Sequence, residues 1–176
     1  MVQWTQKEAS LLQDLKGQEQ LCVEKYNEYA QRAHDPELKN LFTSIGETEV
    51  GHLQTLTDML NGRMPQQQGG QQQGQSGQQG QQAQQGQQAQ QGCSCQQQVP
   101  DPGQRAQPLT PDMQQDAYLC KDLLADEKYV SASYNTSIFE FSSPQARQIL
   151  NGIQSAEQQH GEQLYAYMAR HGMYNA

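Results

Sequence analysis

Asp35-Pro-Glu-Leu-Lys-Asn-Leu-Phe-Thr-Ser-Ile-Gly-Glu-Thr-Glu-Val-Gly-His52 is the stretch that decides how this chain folds. An Asp followed by Pro marks a helix start: the carboxylate caps free backbone N–H groups, and Pro occupies the first turn, where no N–H is needed. Behind this start, Leu38, Phe42, Ile45, Glu49, His52, Leu56 and Met59 recur at steps of three and four. That spacing puts them on one face of a helix packed in a bundle. The face is apolar except at Glu49 and His52. A shift of 108 residues finds the same pattern again in Ser143-Pro-Gln-Ala-Arg-Gln-Ile-Leu-Asn-Gly-Ile-Gln-Ser-Ala-Glu-Gln-Gln-His160.

Working outward, each copy has a helix before it. Thr5 followed by Glu8 reads as a capping box opening a helix over 6–33, with a seam of Leu12, Leu15, Glu19, Cys22, Tyr26, Tyr29 and Ala33. Asp35 opens the second helix, 36–61. Thr110-Pro111 opens a third, 111–141, with Cys120, Leu123, Glu127, Val130, Tyr134 and Phe141 on its seam. Ser143-Pro144 opens the fourth, 144–171, with Leu150, Ile153, Glu157, His160, Leu164 and Met168. Gly62 and Gly172 stand where a left-handed C-terminal cap is expected. The shift maps Leu15 onto Leu123, Glu19 onto Glu127, Tyr26 onto Tyr134, Glu49 onto Glu157 and His52 onto His160 without a gap. No segment alternates as a strand does, so the class is all-α: a four-helix bundle made of two repeated hairpins.

The hairpins, 5–62 and 110–172, flank a Gln/Gly-rich stretch, 63–109, which is expected to be a long disordered linker. It explains the low hydrophobic fraction of 34% in a chain of 176 residues, because the remainder is ordinary globular sequence. About 45 flexible residues have an r.m.s. span of roughly 35–40 Å, and a 26-residue helix is about 39 Å long. The linker can therefore run the length of a bundle, and both a one-chain bundle and a homodimer sharing hairpins stay open. A net charge of −8 with no Lys/Arg cluster argues against nucleic acid or an anionic membrane as partner. No apolar run reaches the roughly 20 residues of a membrane span. Met-Val-Gln-Trp-Thr-Gln-Lys-Glu lacks the pattern of a signal peptide, so a cytoplasmic start is expected.

The polar residues on the seams carry the chemistry. Glu19 precedes the first turn by about as many residues as Glu49 and His52 follow it, so all three sit roughly 23–24 Å from that turn. Glu127, Glu157 and His160 repeat the arrangement. Residues three apart on a helix share a face, which lets the Glu and His of each Glu-x-x-His reach one ion. Four carboxylates in a dry bundle centre repel and are costly to desolvate. Two divalent cations neutralise them, and two imidazoles complete the shell. Oxygen and nitrogen donors without thiolate suit iron or manganese better than structural zinc. Cys22 and Cys120 read as small core residues, while Cys93 and Cys95 in the linker read as exposed and available for cross-links. His34, His171, Asp14 and Asp122 read as surface or helix-end residues rather than ligands.

One Glu followed by Glu-x-x-His, twice over, resembles the rubrerythrin-like branch of the ferritin-like superfamily. That resemblance implies a ferritin-like bundle and a tyrosine hydrogen-bonded to a ligand carboxylate, a role for Tyr26 and Tyr134. A closer resemblance is local. Tyr134-Asn-Thr-Ser-Ile-Phe-Glu-Phe-Ser-Ser-Pro-Gln-Ala-Arg-Gln, Gln158-Gln-His-Gly-Glu-Gln-Leu-Tyr-Ala-Tyr-Met and His171-Gly-Met-Tyr are similar to the coat F family of spore coat proteins. The first hairpin looks like the partner hairpin of clostridial members. The resemblance implies synthesis in the mother-cell cytoplasm, deposition in the spore coat and other coat proteins as partners. The expected function is a coat protein with a di-metal site. The alternatives are a di-iron or di-manganese oxidoreductase of peroxidase, catalase or ferroxidase type, and a metal-free structural module.

Overall fold

A computed structural model describes residues 2–64 and 108–174. The chain forms α1 (Gln6–Arg32), α2 (Pro36–Leu60), α3 (Pro111–Ile138) and α4 (Pro144–Arg170), with no strand among the described residues. The linker expectation and the cysteines at 93 and 95 fall outside the described residues.

Every helix starts where its cap is written. The side chains of Thr5, Asp35, Thr110 and Ser143 accept from the backbone N–H of Glu8, Glu37, Met113 and Ala146 respectively, and Thr5 and Glu8 complete the reciprocal capping box. α2 and α4 end in left-handed glycines, Gly62 at φ 72° and Gly172 at φ 65°. In both, the N–H of the next residue reaches back to close the last turn, Arg63 to Asp58 O at 2.9 Å and Met173 to Met168 O at 2.8 Å. α3 stops at Ile138, short of the expected 141. There the chain turns, so that Phe141 leaves the helical path and packs edge-on against Trp4, ring centroids 5.7 Å apart.

All the seam residues are buried. α1 pairs with α2 and α3 with α4, and the hairpins join along α1–α3 and α2–α4. The α1–α3 contact is antiparallel: Lys7 near the start of α1 pairs with Glu140 at 2.5 Å, and Gln115 near the start of α3 donates to Arg32 O at 3.2 Å. The indole of Trp4 donates to Met59 O at 2.6 Å, which sets the end of α2 beside the start of the chain. The end of α2 and the start of α3 therefore lie at opposite ends of the bundle, and a single chain closes it.

Two buried acids fasten the hairpins to each other. Glu8 accepts from Thr5 N and Thr5 Oγ1, both at 2.8 Å, and with its other oxygen from Ser142 N at 2.9 Å and Ser142 Oγ at 3.0 Å. Asp116, its repeat counterpart, accepts from His34 N at 2.8 Å and Asp35 N at 3.0 Å. Each acid thus holds the turn of the opposite hairpin. One expectation is corrected along the same contact. Asp14 is exposed, but Asp122 is only half-exposed: it accepts from the Tyr29 hydroxyl at 2.7 Å and pairs with Lys25 at 2.6 Å. The antiparallel fit of α1 on α3 covers this flank of α3, which a single-helix reading leaves in solvent.

Candidate metal centre

The four seams bring their polar residues to one level at the middle of the bundle. Glu19, Glu49 and Glu157 are fully buried, and Glu127, His160 and His52 are 2, 4 and 9% exposed. α1 presents Glu19, α2 presents Glu49 and His52, α3 presents Glu127, and α4 presents Glu157 and His160. The donor atoms fall into two groups, each with its atoms within 4.8 Å of one another: Glu19, Glu49, His52 and Glu157; and Glu49, Glu127, Glu157 and His160. Glu49 and Glu157 belong to both groups. Both imidazoles turn Nδ1 inward. His52 Nδ1 lies 2.9 Å from Glu157 Oε1, 3.2 Å from Glu49 Oε2 and 3.7 Å from Glu19 Oε2. His160 Nδ1 lies 2.8 Å from Glu49 Oε1 and 3.7 Å from Glu127 Oε2.

Of these close approaches only His52 Nδ1 to Glu49 Oε2 is a hydrogen bond. Glu19 Oε2, Glu49 Oε1, Glu127 Oε2, both oxygens of Glu157 and His160 Nδ1 are buried and have no aligned hydrogen-bond partner. Buried polar atoms almost always find one, and six such orphans in one buried cluster could hold a cation. Electrostatics follows the same lines. Burial, the largest influence, pushes the Glu157 carboxyl up against the opposing contact of His52, and the neighbouring carboxylates add to the rise. Glu19 is likewise pushed up by burial. Burial pulls His52 and His160 down, but their contacts with the glutamates outweigh it and push both up. Two divalent cations would balance four ionised carboxylates with both imidazoles neutral.

The tyrosines act across the hairpins. Tyr134 on α3 donates to Glu19 Oε1 at 2.5 Å, and Tyr26 on α1 donates to Glu127 Oε1. Burial first, and then the adjacent carboxylate, holds both phenols well above their usual range, so they stay protonated donors. Spacing along a helix places each tyrosine near a glutamate but cannot say which one. The pairing depends on α1 lying antiparallel to α3. Cys22 is buried between these residues, and burial followed by the glutamate charges pushes its thiol up, away from a ligating thiolate. Cys120 is buried too.

A third group, Asp35, Glu37 and His171, sits at the end of the bundle. It is already committed: Asp35 caps α2 and accepts the Tyr167 hydroxyl at 2.7 Å. His171 stacks on Tyr167 with centroids 4.3 Å apart, and His34 is exposed beside Asp116 at 3.5 Å. No helix among the described residues is long and apolar enough to cross a membrane.

Residues 115–176, nearly all of the second hairpin, match a family model described as the Coat F domain. No curated protein and no solved structure matches the chain.

Proposed function

We propose that the protein is a spore coat component whose bundle holds a pair of divalent metal ions, iron or manganese; the match of residues 115–176 to the Coat F domain supports the coat role. The observation that carries the metal reading is the ring of buried donor atoms without partners, divided into two groups that share Glu49 and Glu157. Glu19 and His52 would serve one ion, Glu127 and His160 the other, and Glu49 and Glu157 both. This arrangement is ferritin-like, of the rubrerythrin-like kind. The Coat F match supports a place in the spore coat among other coat proteins; synthesis in the mother cell belongs to the same proposal.

A second reading, an oxidoreductase, draws on the carboxylate-rich donors. Bound iron or manganese would supply electron transfer toward oxygen or peroxide, since anionic oxygen ligands favour the higher oxidation state and histidine keeps affinity for the lower. The protein's own share is positional. Tyr134 and Tyr26 fix the carboxylates of Glu19 and Glu127, and apolar seam residues pack above and below them.

Protein purified without chelator, or loaded with Fe(II) or Mn(II), should contain about two metal ions per bundle by elemental analysis. Glu49→Ala combined with Glu157→Ala should abolish uptake while the circular dichroism stays helical. Protein that takes up no iron, manganese or zinc under loading would leave a metal-free structural module. Turnover is tested separately, by following peroxide or oxygen consumption over many equivalents per site.

A further inference from the structure

The two hairpins carry matching donors but do not enclose them alike. At position 46 of α2 a glycine lets α1 come close: a Cβ there would lie 3.2 Å from Tyr26 Cβ. The repeat-equivalent position on α4 holds Gln154, whose amide donates across to Ser131 O of α3 at 3.0 Å. One turn beyond the ligand glutamate, α2 carries Leu53, half-buried, where α4 carries Gly161. Gln154 and the missing side chain at Gly161 border a groove of about 750 Å³ between α3 and α4. Its floor includes Glu127 and Glu157, both of the group that holds His160, and its walls include Lys128, Gln158, Tyr165 and Tyr174. Tyr165 and Tyr174 pack edge to face at one end, centroids 5.0 Å apart.

We propose that this groove is the port of the metal centre. Divalent cations enter through it, and it leaves the ion beside Glu127 and His160 open to small exogenous ligands of the size of peroxide, dioxygen or azide. The proposal rests on the metal reading above and adds a direction of approach and an inequality between the two ions. The charge of the floor suits a cation: two carboxylates of the cage line it, with a single lysine at the lip. The width suits only small molecules at the bottom, because a Cβ built on Gly161 already stands 3.5 Å from Leu124 Cδ1 and 3.9 Å from Glu127 Cβ.

Gly161→Leu places the residue of the first hairpin over Glu127 and closes the port from within. The first Cβ contacts, at 3.5 and 3.9 Å, are of ordinary van der Waals length, so the backbone takes a Cβ there without strain. Gln158→Trp covers the mouth from an exposed position and leaves the core untouched, in case the leucine perturbs folding. Gly152→Leu is the control, on the same helix with nothing within 4 Å of its Cβ. Full-length protein is loaded with Co(II), uptake is followed by its visible absorption, and azide is then added. Wild-type and Gly152→Leu proteins should load at the same rate and change spectrum with azide. Gly161→Leu and Gln158→Trp should reach the same Co(II) stoichiometry but load about tenfold or more slowly, as a barrier higher by about 1.4 kcal/mol requires. They should also lose the azide response. Port variants that load and take azide at the wild-type rate would overturn the port while leaving the metal site standing. Wild-type protein that takes up no Co(II) would overturn the site, and the port with it.

Discussion

Tyr134 shows how much a single residue depends on its partner across the bundle. Its hydroxyl gives Glu19 one hydrogen bond and leaves the second carboxylate oxygen without a partner. Tyr134→Phe removes that donor and keeps the ring. The fold should lose about 1 kcal/mol, the usual net worth of such a bond. Metal affinity should fall further, by about 10–100-fold, because a ligand freed from its orienting partner no longer waits in place. Competition titration against a chelator reads this directly, and an unchanged affinity would reduce the phenol to a packing element. That all six polar seam residues meet in the core was legible in the sequence, since polar residues on an otherwise apolar seam at matched distances from a turn have few other places to go. The tyrosine pairing was legible only through resemblance, and its direction not at all, because which glutamate receives the proton is decided between helices.

At the scale of the element, each helix start could be read from its cap, and the seams predicted burial without exception among the residues they named. What escaped was the second use of residues whose first use was obvious. Glu8 completes a capping box, and that local role hides its reach to Ser142. Burial raises its pKa, but the hydrogen bonds from Ser142 and Thr5 outweigh that and hold the carboxyl down at about 2. A carboxyl depressed in the folded state adds stability that is complete above its ordinary value of 4.5 and disappears as pH falls toward 2. Wild-type protein should accordingly lose thermal stability over that window. Glu8→Ala should be less stable by about 1–2 kcal/mol at neutral pH, through loss of the cap and the clamp. Its difference from wild type should shrink as the window is crossed downward. A gap between the two melting curves that stays constant from pH 6 to pH 2 would refute the assignment. The misjudged end of α3 has a similar origin: helix periodicity continues through Phe141, and only packing against Trp4 shows that the chain has already turned.

For the whole molecule, the decisive fact is that α2 ends and α3 begins at opposite ends of the bundle. Sequence left open whether one chain closes on itself, since a linker long enough to permit closure does not compel it. Removing residues 65–107 would leave seven residues between Leu60 and Pro111, a reach of at most about 25–30 Å against a helix of about 39 Å. The shortened chain should keep its helical content per residue and its metal capacity per bundle, but pair its hairpins with those of a second copy. Light scattering should report a dimer in place of a monomer. A monomer with undiminished helix would contradict the opposed placement of the two ends.

The reciprocal clamps carry a consequence for how such a chain can change. Glu8 holds the opposite turn as Asp116 holds the first, and Tyr26 serves Glu127 as Tyr134 serves Glu19. Contacts that map onto themselves when the halves are exchanged are those of an isologous interface, in which each unit carries both the knob and the hole. A lone hairpin of this design is self-complementary, and two identical copies would already assemble the full donor set. Fusion into one chain adds no ligand, but it frees the copies from having to be the same. A symmetric dimer that opened one side by replacing a leucine with a glycine would open both. Only in the fused chain can a leucine stand at position 53 and a glycine at its counterpart 161, so that two matched hairpins acquire unlike flanks.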